Sequence, residues 1–130
     1  MTLTELYRIA EENHIEVDEF PMRRVAAVSF PEGWIALNPA KLSSPAEVKV
    51  CLAHELGHCQ TGSFYSAGAA CDVRGKKEAM ADRWAYRRLV PRGELESAVR
   101  RGLTEPWELA DYFDVPEPFL RRAMEYYAAG

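Results

Sequence analysis

A pentapeptide of the sequence, HELGH at residues 54–58, contains the residue types of a hydrolytic zinc site. Residues four apart lie on nearly the same face of an α-helix, so the imidazoles of His54 and His58 can bind one tetrahedral cation. Glu55 projects about 100° away from His54 around the helix axis. From there its carboxylate can act as a general base toward a metal-bound water. The pentapeptide therefore predicts two zinc ligands and a catalytic base.

The residues before this motif predict that it lies on a helix. Ser44 has the character of an N-cap, Pro45 suits the first helical position, and Glu47 stands where a capping box has its acid. Apolar residues cover much of the helix circumference, which is typical of a helix buried in a core: Val48, Cys51, Leu52, Leu56 and Cys59. We therefore expect both imidazoles on a rigid, buried helix.

A catalytic zinc ion has three protein ligands, so the motif lacks one. No further histidine follows the motif, and Phe64 stands where the third histidine of a metzincin would fall, which excludes that class. His14 is a weak candidate, because it is more simply a solvent-facing residue at a helix end. Cys71 is another, since a thiolate binds zinc well, but peptidase sites are more often built from His and Glu.

Glu78 is the better candidate for the third ligand. It begins a predicted helix long enough to lie against the first, and Asp82 follows one turn later on the same face. In this arrangement Glu78 binds the metal, and Asp82 accepts the outer N–H of a ligating histidine and fixes its tautomer. The alternative is that both acids are solvated and balanced by Lys76, Lys77 and Arg83.

The composition of the chain bounds its organisation and its partners. Its 130 residues, of which 48% are hydrophobic, fit a single domain over residues 1–130. The net charge of −4 provides no basic field and disfavours direct DNA binding. The sequence shows neither a signal peptide nor a membrane span. Three cysteines, with Cys51 and Cys59 too far apart on one helix to bridge each other, indicate a reducing cytoplasm.

The pattern along the chain predicts an α+β fold. An amphipathic helix is followed by three segments of strand character, at residues 15–20, 25–30 and 34–37. We expect a small three-stranded antiparallel sheet, packed on a helical core that contains the HExxH helix, and additional C-terminal helices. One sheet edge can then lie beside the metal helix and pair with an extended peptide. Residues 61–77 have the composition of a loop.

Two further segments carry a resemblance to a known family. With HELGH, the segment EAMADRWA at residues 78–85 and LVP at residues 89–91 resemble the ImmA/IrrE metallopeptidases, a gluzincin-like family. The resemblance covers most of the chain. It implies His54, His58 and Glu78 as zinc ligands, Glu55 as general base and Asp82 as an outer-shell residue.

The same resemblance implies a function. Members of the family are zinc metallo-endopeptidases, many of them encoded on prophages and mobile elements. Some cleave helix-turn-helix repressors and so derepress phage, mobile-element or stress genes. A helix-turn-helix repressor is therefore the expected protein substrate and partner of this chain.

The C-terminal segment suggests a second hypothesis of a different class. Residues 104–127 have the spacing of a helix-turn-helix module, so the chain could be a metal-containing, DNA-binding regulator. The second helix of this segment offers only Arg121 and Arg122 as basic contacts. Its apolar residues fall at helical spacing and are more typical of a core face: Phe119, Leu120, Ala123, Met124 and Tyr127.

A third hypothesis is a module that captures a repressor without cutting it. The presence of Glu55 disfavours this reading, because a purely structural metal site needs no general base. The peptidase hypothesis in turn needs a group that stabilises the oxyanion besides the metal. Tyr65, Tyr86 and Arg74 have suitable chemistry, and the spacing does not select among them.

Overall fold

The computed structural model describes all 130 residues and confirms the α+β class. The fold contains six helices and one three-stranded sheet, and a short 3₁₀ helix at Pro39–Lys41 follows the last strand. None of the helices combines the length and the apolar character that a bilayer crossing requires. In chain order the elements are α1 (Leu3–Glu12), β1 (Glu16–Glu19), β2 (Ala27–Phe30), β3 (Trp34–Leu37), α2 (Pro45–Thr61), α3 (Cys71–Leu89), α4 (Arg92–Arg100), α5 (Pro106–Phe113) and α6 (Glu117–Ala128).

The sheet is mixed, so the prediction of an antiparallel sheet was wrong in this respect. Its strand order is β1-β3-β2, with β3 antiparallel to β2 and parallel to β1. The central strand, β3, is the most buried of the three, since Ile35, Ala36 and Leu37 are all buried. The connection between β1 and β2, residues 20–26, crosses the end of β3. A hairpin then leads from β2 into β3, so β3 runs antiparallel to β2 and parallel to β1.

Asn38 holds this connection in place. Its side chain is fully buried, and its Nδ2 donates hydrogen bonds to the carbonyl oxygens of Met22 at 2.7 Å and Val25 at 3.1 Å. Its Oδ1 accepts a hydrogen bond from the Ala40 N–H at 3.1 Å. The position of β2 beside α2 is therefore fixed by a satisfied, buried polar group.

Helix α2 begins and ends largely as expected from the sequence. Ser44 Oγ accepts a hydrogen bond from the Glu47 N–H at 3.2 Å, and Pro45 is the first helical residue. The expected capping box is incomplete, because the Glu47 carboxylate accepts hydrogen bonds from the N–H and the hydroxyl of Ser43 instead, each at 2.6 Å. Gly62 ends the helix with a φ of 65°, a left-handed conformation that glycine adopts without strain.

Helix α3 begins earlier than the sequence predicted. The expected loop at residues 61–77 was wrong in its second half, because only residues 62–70 lie between α2 and α3. Side chains at residues 71–76 are exposed, so this stretch has no apolar periodicity that would indicate a helix. Glu78 therefore lies about two turns inside α3, not at its start.

Helices α2 and α3 approach each other closely at Gly57. A Cβ atom at this position would lie 2.6 Å from the carbonyl oxygen of Ala81, closer than any real contact of this kind. The absence of a side chain lets the two helix backbones meet directly. This contact brings the middle of α3 against the histidines of α2.

One hydrophobic core of 20 buried residues runs through α1, the sheet, α2, α3 and the C-terminal helices. Lys49 of α2 is buried against it, and its Nζ donates hydrogen bonds to the carbonyl oxygens of Met1 at 3.2 Å and Phe113 at 2.9 Å. Asp114 Oδ2 lies 3.7 Å from the same amine. Burial lowers the pKa of Lys49, although Asp114 opposes this effect. The amine thus connects the N-terminal residue and the end of α5 to α2.

Candidate metal centre

Three side chains from α2 and α3 converge where the two helices meet. His54 Nε2 lies 2.8 Å from Glu78 Oε1, and His58 Nε2 lies 3.1 Å from Glu78 Oε2. The ligand atoms of the three residues all lie within 4.8 Å of one another. A tetrahedral ion about 2.1 Å from each ligand atom separates these atoms by about 3.4 Å, a value between the 2.8 Å of the His54–Glu78 pair and the 4.8 Å limit of the triad. The triad can hold a metal ion.

The second nitrogen of each imidazole has its own partner. His54 Nδ1 lies 2.8 Å from Asp82 Oδ1, and His58 Nδ1 donates a hydrogen bond to the carbonyl oxygen of Ser63. A proton on Nδ1 in both bonds leaves the lone pair of each Nε2 directed toward Glu78. Asp82 thus stands beside a histidine of the triad, in the position that the sequence predicted.

The charges around the triad complement one another. Burial lowers the pKa of His54, but the hydrogen bond to Asp82 and the charges of Glu55 and Asp82 outweigh it, and the pKa rises from 6.5 to about 9. Burial raises the pKa of Glu78, whereas the hydrogen bond from Tyr65 and the two imidazoles lower it, with a net decrease. A metal cation that binds here takes the place of the proton on His54.

Glu55 lies beside the triad and is fixed by the sheet. The residue is buried, and its Oε1 accepts a hydrogen bond from the Ser29 hydroxyl of β2 at 2.6 Å. Because Glu55 belongs to α2, this bond joins helix and sheet at the metal centre. Reasoning from the sequence missed Ser29, since no local pattern indicates a contact between residues 26 positions apart.

A cleft of about 350 Å³ leads to the triad along β2. Phe64 and Tyr65, from the segment between α2 and α3, form its outer wall. The Phe64 ring stacks on His58 with centroids 6.0 Å apart, and the Tyr65 hydroxyl donates a hydrogen bond to Glu78 Oε2 at 2.8 Å. An extended chain that lies along β2 therefore passes beside the triad.

The sequence matches no family model and no curated protein. Membership of a family remains a prediction from the motifs. The candidate metal centre is defined by its own geometry, independently of any relative.

The other candidate ligands and oxyanion groups lie elsewhere, with one exception. The triad includes neither His14, exposed after α1, nor Cys71, exposed at the start of α3. The guanidinium of Arg74 donates a hydrogen bond to Cys71 Sγ at 3.1 Å, and Arg74 does not line the cleft along β2. Tyr86 is buried among core residues. Of the three candidate oxyanion groups, Tyr65 is the one that lines the cleft along β2.

The helix-turn-helix-like segment consists of α5 and α6, with Asp114 in a left-handed conformation at φ 54° between them. Phe119, Leu120 and Ala123 of α6 are buried. The prediction that these residues form a core face is confirmed. The second helix of the segment thus packs its apolar face against the rest of the molecule.

Proposed function

We propose that this chain is a zinc-dependent endopeptidase, with His54, His58 and Glu78 as metal ligands and Glu55 as general base. The observation that carries the proposal is the convergence of both Nε2 atoms on Glu78, while Asp82 and a backbone carbonyl occupy the Nδ1 atoms. Outer partners of this kind orient the histidines of metal sites. A buried glutamate beside such a triad supports hydrolysis over a purely structural role.

The protein groups divide the chemistry among them. A bound zinc ion supplies Lewis acidity toward a peptide carbonyl and lowers the pKa of water to about 7. Glu55 accepts the proton from the attacking water and passes it to the leaving amine. Ser29 holds the Glu55 carboxylate toward the cleft. The Tyr65 hydroxyl lines the same cleft, and we propose that it leaves Glu78 Oε2 to donate its hydrogen bond to the oxyanion.

Strand β2 provides a backbone edge on which a peptide can bind. It pairs with β3 on one side only. The carbonyl oxygen of Ala26 accepts a hydrogen bond from the N–H of Asn38, directly after β3, and that of Phe30 accepts one from Gly33 in the hairpin turn. Alternation along the strand therefore directs the peptide groups of Ala27 and Ser29 outward. A substrate in extended conformation adds to this edge as a further strand and crosses the triad.

For the substrate, we propose a helix-turn-helix repressor, in keeping with membership of the ImmA/IrrE family. The support is the resemblance of HELGH, of residues 78–85 and of residues 89–91 to that family. Burial of the α6 apolar face favours this reading over direct DNA recognition by α6.

The test compares the wild-type protein with Glu55→Gln, both loaded with zinc and incubated with a repressor encoded beside the gene. We expect equal zinc content, cleavage by the wild type, and a rate at least about 10²-fold lower for the variant, because the amide cannot accept the proton. Metal content is measured by atomic absorption and cleavage by mass spectrometry. As a control on the metal, Glu78→Ala should lose most of its zinc on dialysis.

Several outcomes would contradict the proposal. Cleavage that survives in Glu55→Gln would remove Glu55 as the base, and zinc retained by Glu78→Ala would redirect the third ligand to Cys71 or His14. An intact repressor together with a salt-dependent shift of operator DNA would favour the regulator. Capture of the repressor without cleavage would favour the binding module.

A further inference from the structure

The cleft continues past Glu55 into a second cavity of about 350 Å³ on the side of α6. We term this cavity the α6 pocket. It shares Val25, Ala27 and Glu55 with the cleft along β2, and His54 and Asp82 form its wall at the metal centre. The two cavities therefore flank the candidate base, and both open onto the same stretch of chain before and within β2.

The far walls of the α6 pocket are apolar. Val50 and Cys51 line it from the first half of α2, and Phe119 lines it from α6. Phe119 is itself almost fully buried, and its ring packs on that of Tyr86 with centroids 5.3 Å apart. These walls suit the methylene groups of a side chain longer than alanine.

Arg122 is the one arginine or lysine side chain that lines the α6 pocket. No carboxylate lies within salt-bridge distance of it, whereas the neighbouring Arg121 pairs with Glu117 at 3.5 Å. The charge of Arg122 opposes the rise that burial imposes on the pKa of Tyr86. Two acids line the same pocket, and each has a partner other than Arg122: Asp82 is bonded to His54, and Glu55 accepts a hydrogen bond from Ser29. The guanidinium thus faces the pocket without an acidic partner.

We propose that the α6 pocket receives an acidic side chain adjacent to the scissile bond, and that Arg122 is the residue that determines this specificity. The inference rests on the proposed peptidase function. An extended peptide advances about 3.3 Å per residue, so residues on the two sides of a bond held at the triad reach the two cavities. The methylenes of a glutamate contact Phe119 and Val50, and its carboxylate pairs with the Arg122 guanidinium through two parallel hydrogen bonds.

The experiment measures binding, so that it does not depend on turnover. Zinc-loaded protein is titrated by calorimetry with three peptide hydroxamates that differ only in the side chain next to the chelating group: glutamate, glutamine or lysine. We expect the wild type to bind the glutamate compound about tenfold or more tightly than the glutamine compound, the effect of one charge-assisted pair. Arg122→Gln should abolish this ratio, and Arg122→Glu should favour the lysine compound. Arg121→Gln is the matched control and should keep the wild-type ratio.

Equal affinity of the wild type for the glutamate and glutamine compounds would overturn the inference, as would a preference that survives Arg122→Gln. Failure of all three compounds to bind would also overturn the inference. The pocket adjoins the metal centre, so a compound whose hydroxamate binds the zinc must bring its side chain to the pocket. The repressor assay reports separately on the peptidase. Cleavage without an acidic preference would support the peptidase function and contradict the role of Arg122. The expected affinity ratio in a protein that cleaves no peptide would support the role of Arg122 and contradict the peptidase function.

Discussion

Ser29 is the residue through which the sheet orients the candidate base. Its hydroxyl donates a hydrogen bond to Glu55 at 2.6 Å, and in Ser29→Ala this donor is lost while the fold keeps its core. We expect kcat to fall by about 10- to 150-fold, since a hydrogen bond to a charged group contributes roughly 1.5–3 kcal/mol. KM and zinc content should change little. The test is to measure the steady-state kinetics of repressor cleavage and, in parallel, the zinc content of each variant.

The matched control is Ser29→Thr, which keeps a hydroxyl on a β-branched side chain that suits a strand. It should restore most of the lost kcat. If Ser29→Ala and the wild type turn over equally fast, Ser29 does not position Glu55. A loss shared by the alanine and threonine variants would indicate a packing role instead.

Much of the site follows from the sequence because its chemistry is local. His54 and His58 share a helix face through their spacing, and Glu78 with Asp82 repeats that spacing on the next helix. Ser29 and Arg122 could not be found in this way. Each reaches the site through the tertiary fold, and a serine or an arginine is common enough to carry no signal of its own.

Among the elements, the contact between α2 and α3 sets the distance between Glu78 and the two histidines. In Gly57→Ala the new Cβ would lie 2.6 Å from the Ala81 carbonyl oxygen and would push the helices apart. Overpacking costs roughly 1–3 kcal/mol and outweighs the gain of about 1 kcal/mol from alanine over glycine in a helix. We expect a lower free energy of unfolding together with weaker zinc binding, measured by denaturant titration and calorimetry.

Gly75→Ala is the control for this change. Gly75 lies in α3, and a Cβ atom there meets nothing within 4 Å. The substitution should raise the free energy of unfolding by about 0.5–1 kcal/mol and leave zinc affinity unchanged. A Gly57→Ala protein as stable as the wild type, with full zinc affinity, would show that the helices do not need this close approach.

The elements themselves were predictable where their pattern is strong. Strand β3 has the expected bounds of Trp34 and Leu37, and α2 begins after its expected N-cap, Ser44. The parallel pairing of β1 was missed because strand order depends on which strand the core buries. The first turns of α3 were missed because an exposed helix segment lacks apolar periodicity.

For the whole molecule, the raised pKa of His54 makes stability depend on pH in protein stripped of metal by a chelator. A histidine whose pKa rises from 6.5 to about 9 on folding contributes stability that is fully present below pH 6.5. This contribution is lost as the pH rises through about 9. We therefore expect the free energy of unfolding of stripped protein to fall over this window, as measured by denaturant titration at several pH values.

Zinc-loaded protein is the control for this pH dependence. Its His54 is bound to the ion and carries no exchangeable proton on Nε2, so the fall between pH 6.5 and about 9 should be absent. A flat profile for the stripped protein would show that Asp82 and Glu55 do not hold a proton on this histidine. Excess zinc also stabilises the native state by mass action, by about 4 kcal/mol at a thousand times the dissociation constant.

The buried amine of Lys49 has a consequence for the order of folding. Its two carbonyl acceptors come from residues 48 and 64 positions away, one at the N-terminal residue Met1 and the other at Phe113, the last residue of α5. Contacts of such long sequence separation form late, because loop closure costs entropy before any contact forms. A nascent chain that has not yet reached Phe113 leaves this amine without its principal acceptor inside an apolar layer. We therefore expect α2 to complete its packing only after the chain has been synthesised beyond Phe113.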